Sequence, residues 1–166
     1  HFDSLFFNIY YIYIFIILAI LLILNFPFAK IFLGDSGAYM LGSLAAIFTI
    51  NFFNTYSFYT PWVAVLILIY PIVEMIYTFF RRIFEKKVIM NPDNLHLHSL
   101  VFYKININTI KWTNPISTLA MLPFIFFGPL MAVFFRHNIY GILISIFLFV
   151  VTYIFVRCKL LNVKES

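Results

Sequence analysis

The chain has 166 residues, of which 64% are hydrophobic and only 10% charged, with a mean hydropathy of +1.01. A water-soluble fold of this length has too little interior to hide that much apolar surface, so the composition excludes an ordinary soluble domain and points to lipid as the solvent. The net charge of +5 is carried by basic residues at the edges of apolar runs, a placement that does not suit a nucleic-acid partner.

An apolar stretch of about 20 residues crosses a bilayer as a helix. The first such run covers residues 5–24 without a charge and ends at Asn25 and Pro27. A polar, glycine-containing segment, 25–37, separates it from a second run at 38–53. Residues 54–60 are a polar turn, and Pro61 is placed to open the third run, 61–80, which holds one acid, Glu74, and a Pro71 that predicts a kink. Residues 81–114 form the longest polar stretch. A fourth run follows at 115–135, where Pro123 and the Gly128-Pro129 pair predict a disturbed ladder. Arg136-His137-Asn138 turns into a fifth run at 139–156, and 157–166 is a polar tail. The expected fold class is an all-α integral membrane protein, a polytopic helical bundle of about five transmembrane helices forming a single membrane domain over 1–166. Tyr56, Tyr59 and Trp62 suit an interfacial belt. The excess of Phe, 23 residues, has no functional reading.

Five alternating spans place 25–37, 81–114 and the tail on one side. That side holds ten of the eleven basic residues, from Lys30 through Arg81, Arg82, Lys86 and Lys87 to Arg157, and only Arg136 lies opposite. By the positive-inside rule these loops and the C-terminus face the cytoplasm. The chain opens on His1 without a basic n-region or an A-x-A-like site, so the expectation is no signal peptide and a chain that is the C-terminal half of a longer protein. Cys158, the one cysteine, allows no internal disulfide.

Two polar constellations fall on that face. In Gly34-Asp35-Ser36-Gly37 an acid stands between glycines just before a membrane helix. Glycines allow a tight turn and close approach to a ligand, a helix N-terminus suits phosphate, and a carboxylate there can hold Mg²⁺. The same residues also read as a helix cap, with Asp35 or Ser36 capping and the glycines making the turn. In Asn91-Pro92-Asp93-Asn94-Leu95-His96-Leu97-His98 two histidines spaced by two diverge on a strand and converge in a turn. Zinc needs three or four ligands, which this loop does not offer, whereas histidines beside phosphate oxygens act as hydrogen-bond donors. Glu74, an acid inside a span, reads either as functional or as the structural partner of a nearby Arg81.

The segment NFPFAKIFLGDSGAYMLG, Asn25 to Gly42, resembles the loop of the polyprenyl-phosphate N-acetylhexosamine-1-phosphate transferases. The segment YPIVEMIYTFFRRIFEKKVIMNPDNLHLHSL, Tyr70 to Leu100, resembles their P-x-x-[DE] helix, Arg pair and histidine loop. The resemblance implies a Mg²⁺-dependent enzyme of the bacterial inner membrane. It would transfer a sugar-1-phosphate from a UDP-amino sugar to a polyprenyl phosphate such as undecaprenyl phosphate, releasing UMP, for cell-wall or surface polysaccharide. Asp35 would be the metal ligand in a loop shaped by Gly34 and Gly37. His96 and His98 would contact the nucleotide-sugar, Arg81 and Arg82 would favour anionic substrates, and Asp93 would order the histidine loop. Ser99 stands where the family has a third histidine, and the family's upstream acidic motifs are not in this chain. The chain alone is therefore expected to be inactive. A truncated or degenerate membrane scaffold is the alternative, and a second copy of the chain is a candidate partner.

Overall fold

The computed structural model describes residues 2–27, 30–31, 33–56, 58–86, 95–105 and 110–164. Among them there are seven helices and no strand: α1 (Phe2–Asn25), α2 (Gly34–Thr55), α3 (Trp62–Ile67), α4 (Ile69–Phe84), α5 (Leu97–Ile105), α6 (Ile110–Phe135) and α7 (Ile139–Lys164). Three are long and apolar enough to cross a membrane: Gly34–Thr55, Trp112–Phe135 and Ile139–Leu161. Large apolar side chains such as Phe134 (70% exposed) and Phe155 (67%) point away from the protein, which lipid tolerates and water does not. The chain is an all-α membrane protein, as its composition requires.

The chain divides into two compact units, His1–Gly42 and Ser43–Ser166. In the first, α1 runs into a turn tied by the Asn25 side chain, whose Oδ1 accepts the Ile31 N–H at 3.0 Å. Gly34 then takes φ 66°, a left-handed conformation that L side chains rarely adopt, and α2 begins there. Gly37 is small for a different reason. A Cβ on it would lie 2.6 Å from Leu33 Cγ, so the Leu33 side chain folds back over the first helical turn.

The second unit holds the core. One face of α7, with Ile142, Ser145, Phe149, Tyr153 and Arg157 at spacings of three and four, is buried throughout. It packs with Met121 and Ala132 of α6, Val63 and Leu66 of α3, Ile69 of α4 and Leu97 of α5. α3 and α6 approach closely, and a Cβ on Gly128 would sit 2.1 Å from the Leu66 carbonyl oxygen. At the turn between α6 and α7 the rings of Phe52, Tyr59 and His137 stack, at 5.6 Å and 5.4 Å between successive centroids.

Four elements differ from expectation. The third run is interrupted rather than kinked. α3 ends at Ile67, and α4 begins at Ile69 after Leu68 at φ −96°, ψ 16°. The reason is Pro71, which has no N–H for the Ile67 carbonyl and whose ring crowds it. The expected loop 81–114 contains α5 and the start of α6, because Leu97 and Leu100 repeat at helical spacing and are buried. α6 remains one helix through Pro115, Pro123 and Pro129. Finally, residues 157–164 of the expected polar tail continue α7, and Arg157 is fully buried instead of standing among the exposed basic residues of that face.

Candidate functional site

The Asp35 segment belongs to the first unit. Asp35 lies in the first turn of α2, exposed, with no hydrogen-bond or ion-pair partner among the described residues. A carboxylate in that position interacts favourably with the positive end of the helix dipole. With the helix beginning at Gly34, Asp35 and Ser36 stand inside the first turn rather than before it.

The second unit contains a denser constellation. Its hub is Glu74, on the buried face of α4 and 9% exposed. Oε1 accepts the backbone N–H of Leu97 at 3.1 Å and lies 3.1 Å from His96 Nδ1. Oε2 accepts the Tyr153 hydroxyl at 2.9 Å. The Arg157 guanidinium supplies the counter-charge, its Nη1 lying 3.6 Å from Oε1. That same Nη1 donates to the Tyr153 oxygen at 3.1 Å, and Nη2 donates to the Leu95 carbonyl. The Tyr77 ring covers the guanidinium, 4.3 Å from its centroid. Arg157 Nε has no hydrogen-bond acceptor among the described residues.

The two histidines converge, as a turn allows. Their rings lie 5.6 Å apart and within 5° of parallel. Partial burial, followed by the neighbouring His96, lowers the His98 pKa from its ordinary value, and Glu74 opposes the shift. Both rings line an open cleft of about 530 Å³, with Tyr70, Glu74, Thr78 and the buried Arg82. A second cleft of similar volume shares Tyr70 and His98 and is lined also by Ser99, Asn114, Ser117 and Thr118. Each cleft combines an apolar wall with a few convergent polar groups, the usual composition of a small-molecule site. Arg81 pairs with Glu85 at 3.0 Å, so the ion partner of Glu74 is Arg157 and not the arginine nearest in sequence. Asp93 lies outside the described residues.

Tyr153 and Arg157 carry no motif, and sequence reasoning passed over them. The signal was the spacing on α7, since Phe149, Tyr153 and Arg157 each follow the last by four residues on one face. Among the described residues no group of three or more His, Cys, Asp or Glu could hold a metal ion. A lone accessible carboxylate does fit Mg²⁺, which is commonly held by one or two carboxylates together with waters and substrate phosphates.

The chain is 36% identical over 88 residues to an undecaprenyl-phosphate alpha-N-acetylglucosaminyl 1-phosphate transferase of Thermotoga maritima, a match covering 53% of this chain and 28% of that protein. It is 33% identical over 75 residues to a probable undecaprenyl-phosphate N-acetylglucosaminyl 1-phosphate transferase of Bacillus subtilis, covering 45% of this chain and 21% of the relative. The matched stretch thus spans under a third of either relative's length. No family model and no solved structure matches. Over about half its length the chain is similar to undecaprenyl-phosphate N-acetylglucosaminyl 1-phosphate transferases, the family that its GDSG and histidine segments resemble.

Proposed function

We propose that this chain supplies part of the catalytic site of an enzyme that transfers N-acetylglucosamine-1-phosphate from its UDP derivative to undecaprenyl phosphate. In that reaction a phosphate oxygen of the lipid attacks the sugar-linked phosphorus, the bond to the nucleotide phosphate breaks, and UMP leaves. Phosphoryl transfer asks the protein mainly to position groups and neutralise charge. The observation that carries the reading is the pair of parallel histidines on a cleft shared with the buried Arg82. These are hydrogen-bond donors suited to phosphate oxygens in a partly dry setting.

His96 and His98 contact the phosphates of the sugar nucleotide, and Arg82 adds fixed positive charge at the cleft wall. Ser99, in place of the family's third histidine, offers a hydroxyl to the neighbouring cleft. Arg81, paired with Glu85, favours anionic substrates. Asp35 would hold Mg²⁺, which when bound supplies positive charge toward substrate phosphate; Gly34 and Gly37 keep that carboxylate at the helix start. The histidine segment faces the cytoplasm, where UDP-sugars are supplied.

The test is UMP release by the complete enzyme of which this chain supplies part, reconstituted in lipid, with UDP-N-acetylglucosamine and undecaprenyl phosphate as substrates. Asp35→Asn and His96→Ala are each expected to lower turnover by at least about a hundredfold. Near-normal release by Asp35→Asn would remove the metal-ligand assignment, and no release by the unaltered protein would remove the reaction itself.

A further inference from the structure

His96 is constrained from three directions. The carbonyl of Leu95, the residue before it, accepts from Arg157 Nη2; the N–H of Leu97, the residue after it, donates to Glu74; and its own Nδ1 lies 3.1 Å from the same Glu74 oxygen. Among the described residues, every other partner of that carboxylate is a donor. The Leu97 amide and the Arg157 guanidinium can only donate, and the Tyr153 hydroxyl accepts from Arg157 Nη1 while its own hydrogen goes to Oε2. Glu74 therefore has acceptor sites to offer His96 and no proton, so Nδ1 must carry the hydrogen.

We infer that Glu74, oriented by Tyr153 and Arg157 of α7, is a positioning residue that holds His96 in its Nδ1–H form and leaves Nε2 as the nitrogen available to the cleft. The second nitrogen of a histidine takes its role from the hydrogen bond made by the first. Nε2 then offers a lone pair when the ring is neutral and an N–H when it is protonated, so one atom can both take up and return a proton. Arg157 and Tyr153 are not themselves cleft-lining residues and act on His96 through Glu74, which lines the cleft, and the Leu95 carbonyl. The consequence for turnover rests on the transferase reading given above, whereas the tautomer does not.

The experiment is nitrogen NMR of the intact protein in lipid nanodiscs, labelled in the histidine rings, with His96 assigned by its loss in His96→Gln. Above the histidine titration range, about pH 8, the unaltered protein is expected to show a protonated Nδ1 and a bare Nε2 for His96. The double variant Glu74→Ala/Arg157→Met, which removes both buried charges together, and the milder Tyr153→Phe are expected to give a mixture of tautomers. In Tyr153→Phe, kcat falls while KM for the UDP-sugar is retained. A protonated Nε2 in the unaltered protein overturns the inference, and so does an unchanged Nδ1–H form in the double variant. Should the double variant fail to fold, the unaltered spectrum and Tyr153→Phe still decide. A protein with the expected tautomer that releases no UMP would overturn the transferase reading and leave this inference standing.

Discussion

The Tyr153 hydroxyl donates to Glu74 Oε2 at 2.9 Å across 79 residues of sequence, and its oxygen accepts from Arg157 Nη1 at 3.1 Å. One phenol thus bridges an acid on α4 and a base on α7. Removing a single member of a buried pair leaves the other charge without compensation, at a cost of about 3–5 kcal/mol. Glu74→Ala and Arg157→Met should each lower stability by that order, and the double variant should lose clearly less than the sum. A double-mutant cycle from denaturation in detergent measures this; strict additivity would mean the pair is not coupled.

Gly128 faces the Leu66 carbonyl oxygen so closely that a Cβ would stand 2.1 Å from it. Backbone cannot rotate aside as a side chain can, so Gly128→Ala must separate α3 from α6. A loss of about 1–3 kcal/mol is expected, read as a fall in Tm. The neighbouring exposed substitution Phe126→Leu should leave Tm unchanged, and equal behaviour of the two would refute the close contact.

Gly37 presents the contrasting case. The atoms in the way of a Cβ are those of the Leu33 side chain, with Cγ at 2.6 Å. Gly37→Ala should therefore speed amide exchange in the first turn of α2, and adding Leu33→Ala should restore it. Gly34→Ala is not rescued in this way, because φ 66° itself costs about 1–2 kcal/mol for a residue with a Cβ. Rescue of Gly34→Ala by Leu33→Ala would contradict that account.

The His98 pKa is lowered from 6.5 in the folded chain, first by burial and then by His96. The unfolded chain therefore takes up a proton at a higher pH than the folded one. The stabilising contribution is complete above pH 6.5 and is lost as pH falls through 6.5 towards the folded value. The effect is softened because His98 remains solvent-accessible. Stability measured from pH 7.5 down to 5 should decline in that window, and His98→Gln should flatten the His98 part of the slope. An identical slope in His98→Gln would assign the titration elsewhere.

Much of the helical plan was legible because lipid imposes it. Runs of apolar residues mark spans, Pro61 opens α3, and the glycines around Asp35 mark the entry to α2. Pro71 announced a disturbance, but its effect falls upstream of it, at the carbonyl that loses a donor. The prolines of α6 looked equally disruptive and leave a single helix. The convergence of His96 and His98 depended on whether their loop was strand or turn, which spacing left open. Arg157 was the clearest miss. At the edge of an apolar run an arginine counts as a headgroup anchor, and only its register with Ile142, Phe149 and Tyr153 shows that it turns inward. Glu74 was marked as unusual for its place in a span, yet sequence proximity favoured Arg81, whereas the fold brings Arg157.

The inward turn of Arg157 also bears on how the protein is made. Arg157 lies four residues from the end of the apolar span Ile139–Leu161, so before docking its guanidinium can reach the headgroups along its own flexible stem. Glu74 is synthesised far earlier and spends that interval without its counter-ion. Docking of α7 draws the arginine from the lipid surface to the waiting carboxylate and places the Leu95 carbonyl beside it. The histidine segment can therefore take the form seen here only once α7 is in place.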